Sequence, residues 1–585
     1  MVFVSEDGSI SPAMETPLLF KEDDDMVEGN VDYKGRPVRR SKSGGWLSAS
    51  FIIGVEMAEY FAYYGISANL ITYLTGPLGQ STATAAENVN AWSGTSQLLP
   101  LLGAFVADTY LGRYRTIIVA SVLYILALGL LTLSAVIPSL GSFNCHNASN
   151  SSSIPCPPPQ IQVTTFFFSL YLMAIAQGMH KPCVHAFGAD QFDGSDIEEC
   201  KAKSSFFNWC GVGTCVAITL TIMILTYIQD YYSWGVGFGI PCLVMVFALV
   251  WFLLGTVTYR FHVKCAETQP VSRIGRVFVK AVKNWRITSS ALCMDMESQD
   301  VLPYLGSQQF KFLDRALFAP EGSMREGKVC SISEVEEAKA VLRLFPIWLS
   351  CLVYGIVYSQ PPTLFTKQGL TMDRFITPNF EVPAASLQVF SSITVIIFLC
   401  VYDRVLVPVA RAITGIPTGI TMLQRIGTGI FFSILSILVA ALVERKRLEI
   451  AQEKGLVGYP FQVVPMSVAW LIPQYLLLGV SQSFTITGLQ EFFYDQVPSD
   501  LKSIGLALYF TIFGVGSFLS GILISVIESA TSGNGNESWF SDNVVKGHLD
   551  YFYWLLTGLS AVTFIAFVYF AKAYHYRSRC QTYVS

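Results

Sequence analysis

The chain has 585 residues, of which 52% are hydrophobic and only 14% charged, with a mean hydropathy of +0.47. Soluble domains carry roughly a quarter charged residues, so the composition excludes an ordinary cytosolic protein and points to one that lives in a bilayer. The net charge of −4 says nothing about partners once most of the chain is in lipid, and gives no reason to expect nucleic-acid binding.

Residues 1–44 are polar, with an acidic run from Glu22 to Asp25 followed by Lys34, Arg36, Arg39, Arg40 and Lys42. They read as a disordered cytosolic tail. Apolar stretches of about 20 residues, the length that spans the hydrocarbon core, then recur. They fall at 47–74, 92–110, 114–137, 162–187, 204–228, 235–258, 341–364, 384–406, 419–443, 466–493, 503–527 and 550–572. The expectation is an all-α membrane protein of twelve transmembrane helices. An N-terminal six-helix bundle covers 45–258 and a C-terminal one 341–572, with a cytosolic linker at 259–340 and a second cytosolic tail at 573–585. Within the linker, SRIGRVFVKAVKNW (272–285) places Ile274, Val277, Phe278, Ala281, Val282 and Trp285 on one helical face and Arg273, Arg276, Lys280 and Lys283 on the rest. Such an amphipathic helix suits either an anionic lipid surface or the protein's own cytosolic face.

Orientation follows from the basic residues. With both termini inside, loops assigned outside hold Lys367, Arg374, Arg445, Lys446, Arg447, Lys454 and Lys546 out of 38 Lys and Arg, which fits the positive-inside rule. The basic segment at 445–454 is the exception. Three N-x-S/T sequons, at Asn147, Asn150 and Asn536, fall in loops on the same outer side and are candidates for glycosylation. Cys145 and Cys156 share the first of those loops and are candidates for a disulfide in an oxidising space.

Four ionisable residues lie within apolar spans: Glu56 and Glu59 in GVEMAEYFAYYG (54–65), Lys181 in GMHKPCVHAFGADQFD (178–193), and Glu491 in TGLQEFFYDQVP (487–498). A charge in hydrocarbon is costly, so such residues ordinarily face a hydrated cavity. Three acids stand against one base, so pairing cannot neutralise them all. At least one carboxyl is expected to carry a proton near neutral pH. A carboxyl that gains and loses a proton in an occluded cavity is what proton-coupled transport requires.

Two six-helix halves joined by a cytosolic linker resemble the plan of the major facilitator transporters. After the second span, GAFVADTYLGRYR (103–115) is similar to that superfamily's loop at Gly103, Asp108, Gly112 and Arg113. There the glycines allow close helix approach, and the Asp and Arg supply a charge pair and helix-end contacts able to lock one of two conformations. The charged residues carry a narrower resemblance, to the plant nitrate/peptide transporters within the proton-dependent oligopeptide transporter family. These have E-x-x-E-R/K followed by F-x-Y-Y-G, matched here from Glu56 to Gly65 except at one place. The resemblance continues through VDYKGRP (31–37), LITYLTGPLGQ (70–80), FGADQFD (187–193), KFLDRAL (311–317) and EFFYDQVP (491–498). It implies a secondary transporter of small solutes working by alternating access, with protons as coupling ion and no other cofactor or metal. Glu56 and Glu59 would handle the proton. Lys181 and Glu491 would meet the substrate and form a salt bridge between the halves that breaks and re-forms. The partners implied are a small-molecule substrate and membrane lipid, around a monomer or weak homodimer.

Two departures qualify the resemblance. Tyr60 stands where the family has Arg or Lys, and a tyrosine supplies a hydrogen bond but no positive charge. Either proton coupling is weakened and transport is facilitative, or the glutamates stay mostly protonated and Lys181 with Glu491 carries the coupling. Tyr358 stands where a nitrate-binding relative uses a histidine, which favours a larger substrate with polar and aromatic surface. His180 and His185 flank Lys181 and either assist an anion or satisfy local hydrogen bonds. Tyr63, Tyr64, Tyr358, Phe492 and Phe493 are candidates for the lining, with plain packing as the alternative. The chain has no H-E-x-x-H metal motif of a membrane enzyme, no phosphate-cradling loop of an ATP-driven pump and no carbonyl filter of a channel. A solute sensor that binds without transporting is the remaining alternative. Nitrate, di- and tripeptides and specialised metabolites stay open as substrates. So do the plasma and vacuolar membranes, the stretch Met14 to Leu19 being only a loose acidic dileucine signal.

Overall fold

The computed structural model describes residues 26–140, 158–193, 196–262, 270–285, 310–317, 330–415, 420–456, 463–497, 502–532, 538–541 and 547–574. Asn147, Asn150, Asn536, Cys145, Cys156 and the dileucine-like stretch lie outside the described residues. Lipid offers the backbone no hydrogen-bond partner, so each apolar stretch closes its own bonds as a helix. Six long helices precede the linker: α1 (Gly45–Ser67), α2 (Thr82–Val106), α3 (Arg113–Leu140), α4 (Gln160–Ala189), α5 (Ile197–Tyr231) and α6 (Trp234–Leu254). Six follow it: α7, made of Ile332–Ser350 and Leu352–Tyr358, then α8 (Gln388–Val401), α9 (Met422–Glu453), α10 (Ile472–Asp495), α11 (Lys502–Thr531) and α12 (Leu549–Ala573).

By length and composition alone, eight of these are apolar enough to cross a membrane, α8 within the longer helical run Ala384–Ile413, and α7, bent by 48° as it runs on to Leu370, makes a ninth. Pro346, one turn before the break in α7, removes an amide from the helix ladder there. The three that fall short are α1, α2 and α10. Each turns polar side chains into the space between the halves, among them Glu56, Ser93, Gln97, Gln482, Thr487 and Gln490. Their low hydropathy is the polarity of the site they build.

Several helices overrun their expected bounds, two of them by ten residues. α2 begins at Thr82, ten residues before the apolar stretch, because Ser81 Oγ caps it by accepting from the Thr84 amide at 3.2 Å. Its first turns are polar yet bury Ala85, Ala86, Val89 and Asn90 against neighbouring helices. α9 continues to Glu453, so the basic residues expected in an outer loop are helical. Arg447 and Glu444 are both fully buried and paired at 2.5 Å, while Arg445 and Lys446 reach Glu449 at 3.4 and 3.3 Å. The exception to the charge rule is thus partly neutralised on the helix itself.

The N-terminal tail is corrected in its second half. Residues 26–39 form a hairpin, β1 (Met26–Val31) and β2 (Pro37–Arg39), and β1 also pairs antiparallel with β3 (Phe261–His262) just after α6. The Asp32 carboxylate accepts from the Lys34 and Arg36 amides, each at 2.8 Å, and Gly35 takes φ 77°, which closes the turn. The Arg36 amide hydrogen bond above all, helped by that of Lys34 and by the nearby positive charges, holds the Asp32 carboxyl below its ordinary range although desolvation opposes it. In the linker, the amphipathic helix Pro270–Lys283 rests on the protein. Val277 and Ala281 pack with Leu313, Ala316, Cys330, Val335 and Ala338, whereas Val279, Val282 and Trp285 stay exposed. Lys339 Nζ, fully buried, meets Asp314 Oδ1 at 2.7 Å and Glu336 Oε1 at 3.0 Å, which fastens KFLDRAL to the base of α7.

Candidate functional site

Between the halves lies a cavity of about 1820 Å³ enclosed by α1, α2, α4, α5, α7, α8, α10 and α11. One side is sealed. There Asn90 donates to Ser520 at 3.1 Å, Gln388 to the Ala68 carbonyl at 2.9 Å, Lys367 to Thr75 at 3.1 Å and Tyr231 to the Glu381 carbonyl at 3.0 Å. α2 and α11 touch so closely that a Cβ on Gly94 would meet Phe518 at 2.7 Å and the Gly514 carbonyl at 2.9 Å. On the other side the cavity runs out to Phe105, Arg113 and Arg273–Gly275 of the linker helix.

Glu56 and Glu59, three residues apart on α1, have different neighbours. Glu56 lines the cavity, where its Oε1 lies 3.2 Å from His185 Nε2 on α4 and accepts from Thr214 Oγ1 on α5 at 3.4 Å. Glu59 is buried beneath it, with Oε1 lacking a hydrogen-bond partner among the described residues. Lys181 sits one turn before His185 on the same face of α4, since residues four apart stack. Its ammonium lies 5.1 Å from the centre of the Tyr60 ring and 5.5 Å from that of Phe510 on α11. Both are within cation–π range. Lys181 is thus held by aromatic faces from both halves and pairs with no described carboxylate. Tyr60 answers the departure noted in the sequence: it offers the face of its ring to the base, in place of a charge.

Around this centre stand Tyr63, stacked on Trp92 at 5.2 Å, Tyr64, and Tyr358, edge-on to Phe513 at 4.8 Å. Of the lining candidates, Tyr63, Tyr64 and Tyr358 stand on the cavity wall, together with Tyr60. Phe492 and Phe493 do not. They are fully buried in the core of the C-terminal half, Phe492 against Tyr574 at 5.1 Å. For Phe492 the reason is helix phase: Ile486, Thr487 and Gln490 take the cavity face of α10, and Phe492 lies more than half a turn round from Gln490. Phe493 lies on that face but nearly a turn beyond Gln490, where α11 packs against it at Gly505. The same phase corrects the Lys181–Glu491 salt bridge. In this conformation Glu491 turns outward to Arg425 of α9, with 3.6 Å between Nη1 and Oε2, and Arg425 lies over the Tyr402 ring at 4.2 Å. His180 is fully buried, with neither ring nitrogen partnered among the described residues. Phe510, Phe513 and Thr214 were missed, because nothing in an apolar run marks which face meets a partner helix.

The loop after α2 behaves as a joint. Gly103 meets Gly178 backbone to backbone, and a Cβ there would come within 2.1 Å of the Gly178 carbonyl oxygen. Gly112 takes φ 79° where the chain turns from a π-turn (Ala107–Leu111) into α3. Arg113 Nη1 reaches Asp190 Oδ2 at 2.5 Å, so its charge partner comes from the end of α4. The backbone of Asp108 lies in the π-turn, and its side chain is outside the described part. The rest of FGADQFD is equally engaged. Gln191 accepts from the Arg260 amide at 2.9 Å, and Asp193 accepts from Arg40 Nη2 at 2.7 Å. Arg260, 1% exposed, donates to both oxygens of Glu199 at 2.7 and 3.1 Å and to the Ser43 carbonyl at 2.7 Å. This network ties the hairpin to the ends of α4, α5 and α6.

Two six-helix halves around a central cavity define a multi-pass membrane protein with the major facilitator fold. Residues 114–540 match the family described as "PTR2: POT family". The chain is 59% identical over 569 residues to Protein NRT1/PTR FAMILY 5.10 of Arabidopsis thaliana, covering 97% of this chain and 98% of that protein. It is 52% identical to Protein NRT1/PTR FAMILY 5.14 of the same plant, covering 96% and 99%. The chain therefore belongs to the POT family of transporters, on its NRT1/PTR branch. Among solved structures it is similar to an auto-inhibited POT family peptide transporter, with a TM-score of 0.68 and 20% identity over 91% of this chain and 98% of that one. It is also similar to the POT family transporter PepTSo, with a TM-score of 0.66 and 19% identity over 90% and 98%.

Proposed function

We propose that this chain carries a small organic anion with an apolar or aromatic body across its membrane by alternating access, with proton movement coupled at α1. The observation that carries this reading is the charge inventory of the cavity. Among the described lining residues, Lys181, Arg113 and Arg273 stand against one carboxylate, Glu56. Glu56 already faces His185 and Arg113 already meets Asp190, whereas Lys181 contacts ring faces and feels Glu59 and Glu56 only through space. An ammonium on a cavity wall that makes no direct ion pair favours an anionic group placed beside it. The volume of about 1820 Å³ exceeds what a drug-sized ligand needs, roughly 300–1,000 Å³, so a bare nitrate ion would leave the aromatic wall without use. Solved transporters of this fold include ones in complex with sulfate, alafosfalin and 5-aminolevulinic acid, which supports anionic and amino-acid-like solutes as the first to try.

The sealed side carries the loops assigned outside, and the wide side carries the linker. With the termini in the cytosol, the conformation faces inward. Sealing and opening would then exchange as the halves rock about Lys181 and its two rings. Counterflow tests this directly. Preloaded vesicles should exchange a labelled organic anion, Lys181→Ala should lose most of that exchange, and binding without exchange would make the protein a sensor. Tyr60→Arg probes the coupling: uptake against an imposed pH gradient should change, and an unaltered pH dependence would show that α1 does not carry the proton.

A further inference from the structure

Glu56 is the only carboxylate and His185 the only imidazole among the described residues lining the cavity. They meet at 3.2 Å across α1 and α4. Their exposures differ in a useful way: the His185 side chain is 38% exposed while that of Glu56 is 4% exposed. The imidazole stands in front, where water and solute can reach it, and the carboxylate stands behind.

We propose that His185 supplies, in titratable form, the positive charge that Tyr60 leaves out of the first helix, making Glu56–His185 the proton-exchanging pair of the cavity wall. Its role in coupling rests on the transport reading above. The geometry of the pair does not. Every neighbour of the pair leaves that role open. From α5, Thr214 Oγ1 donates to the same Glu56 oxygen at 3.4 Å and Cys210 lies alongside, but neither brings a positive charge. From α1, Tyr60 brings a phenol and Glu59 a second acid. From α4, Lys181 is one turn away against two rings, and its fixed charge reaches Glu59 and Glu56 through space without a direct ion pair. Arg113 is committed to Asp190, and Arg273 lies on the linker at the cavity mouth. The face opposite, from α7 and α11, offers Tyr358, Tyr509, Phe510 and Phe513, none of them charged.

With the imidazole protonated, the N–H at Nε2 points its charge at an ionised Glu56. When that N–H bond breaks and an O–H bond forms at Glu56, the pair stays neutral overall. Exchange of a further proton with cavity water changes its net charge by one. A solute anion beside Lys181, one turn along α4, would feel that change directly. Proton and anion would then share a wall of the cavity without an arginine on α1.

The test reads the pair first and transport second. Diethylpyrocarbonate modifies neutral imidazole, and mass spectrometry reports its rate at His185 in the full-length protein in nanodiscs. At pH 7, Glu56→Gln should be modified at His185 several-fold faster than the unmodified sequence, and Glu56→Asp, which keeps the charge but withdraws it, at an intermediate rate. Equal rates in all three would overturn the pairing whether or not the protein transports. In counterflow between pH 5.5 and 8, His185→Gln should flatten the pH profile, while His185→Lys should keep exchange at the level the original protein shows in acid. A His185→Gln profile that superimposes on the original would overturn the coupling role. No exchange by any variant, with the labelling difference intact, would sink the transport reading and leave the pair standing.

Discussion

Gly94 lies in the seam where α2 of one half meets α11 of the other, on the sealed side of the cavity. Replacing it with alanine would put a methyl 2.9 Å from the Gly514 carbonyl oxygen and 2.7 Å from the Phe518 ring. The ring can swing aside, but the carbonyl belongs to the α11 backbone. Ordinary contact therefore requires the helices to part by about 0.5 Å, and overpacking of this kind costs about 1–3 kcal/mol. That cost falls only on the conformation in which the seam is closed. It should move the balance towards the outward-open state by roughly 5- to 150-fold. Hydrogen–deuterium exchange reads this directly: peptides from 85–94 and 514–524 should exchange faster in Gly94→Ala, and peptides from 102–113, at the mouth, more slowly. If the melting temperature falls while both sets of peptides exchange as before, the strain is not selective for one state. The seam would then not be the gate described here.

Three further outcomes follow from other contacts. Lys181→Arg should retain part of the anion exchange that Lys181→Ala loses, because a guanidinium still stacks on Tyr60 and Phe510. Equal activity of Ala, Arg and Lys at this position would refute its role. Asp314→Asn takes one of two carboxylates from the buried Lys339, at a cost of about 1–3 kcal/mol, less than for a pair fully broken. The linker should then loosen. Cys330, whose thiol burial pushes above its ordinary range, should pass from slow to fast maleimide labelling, and unchanged labelling would count against the docking. Glu199→Gln removes the carboxylate from a buried Arg260 and should cost about 3 kcal/mol. Limited proteolysis within 32–36 should speed up, and an unaltered cleavage rate would mean that the hairpin is held by other contacts.

Much of this molecule could be read in advance, and the parts that could not share a cause. Spans, linker and cavity tyrosines follow from local properties: hydropathy, charge bias and the face on which a residue falls. Lys181 beside Tyr60 was within reach, since both motifs were marked. What failed was phase and distance. Phe492 and Glu491 were assigned to the cavity from their motif, but the motif does not say which side of α10 meets α9 and which meets the void. Gln490 took the inner face. The hairpin at 26–39 needs Phe261–His262 as its third strand, a partner more than 200 residues away. No window on the tail alone could reveal it. The start of α2 was hidden for the opposite reason, because its polar first turns are buried against protein rather than lipid. His185 was noticed as a neighbour of Lys181, but its pairing with Glu56 depends on how α1 and α4 cross.

The three helices whose polar faces build the cavity also bear on how this protein is made. On the scale of cellular insertion, a charged residue at the centre of a span costs about 2.5–3.5 kcal/mol, and α1 bears two carboxylates without a basic residue. Among the described spans it is the first to leave the ribosome. Such a segment is a poor customer for the translocon when it arrives alone, and it becomes stable in the bilayer only once α4 and α5 are there to face it. Early assembly of the N-terminal half is therefore a condition for keeping α1 in the membrane at all. A chain truncated after α2 should slip back into the aqueous channel or be degraded, however apolar the remainder of the sequence.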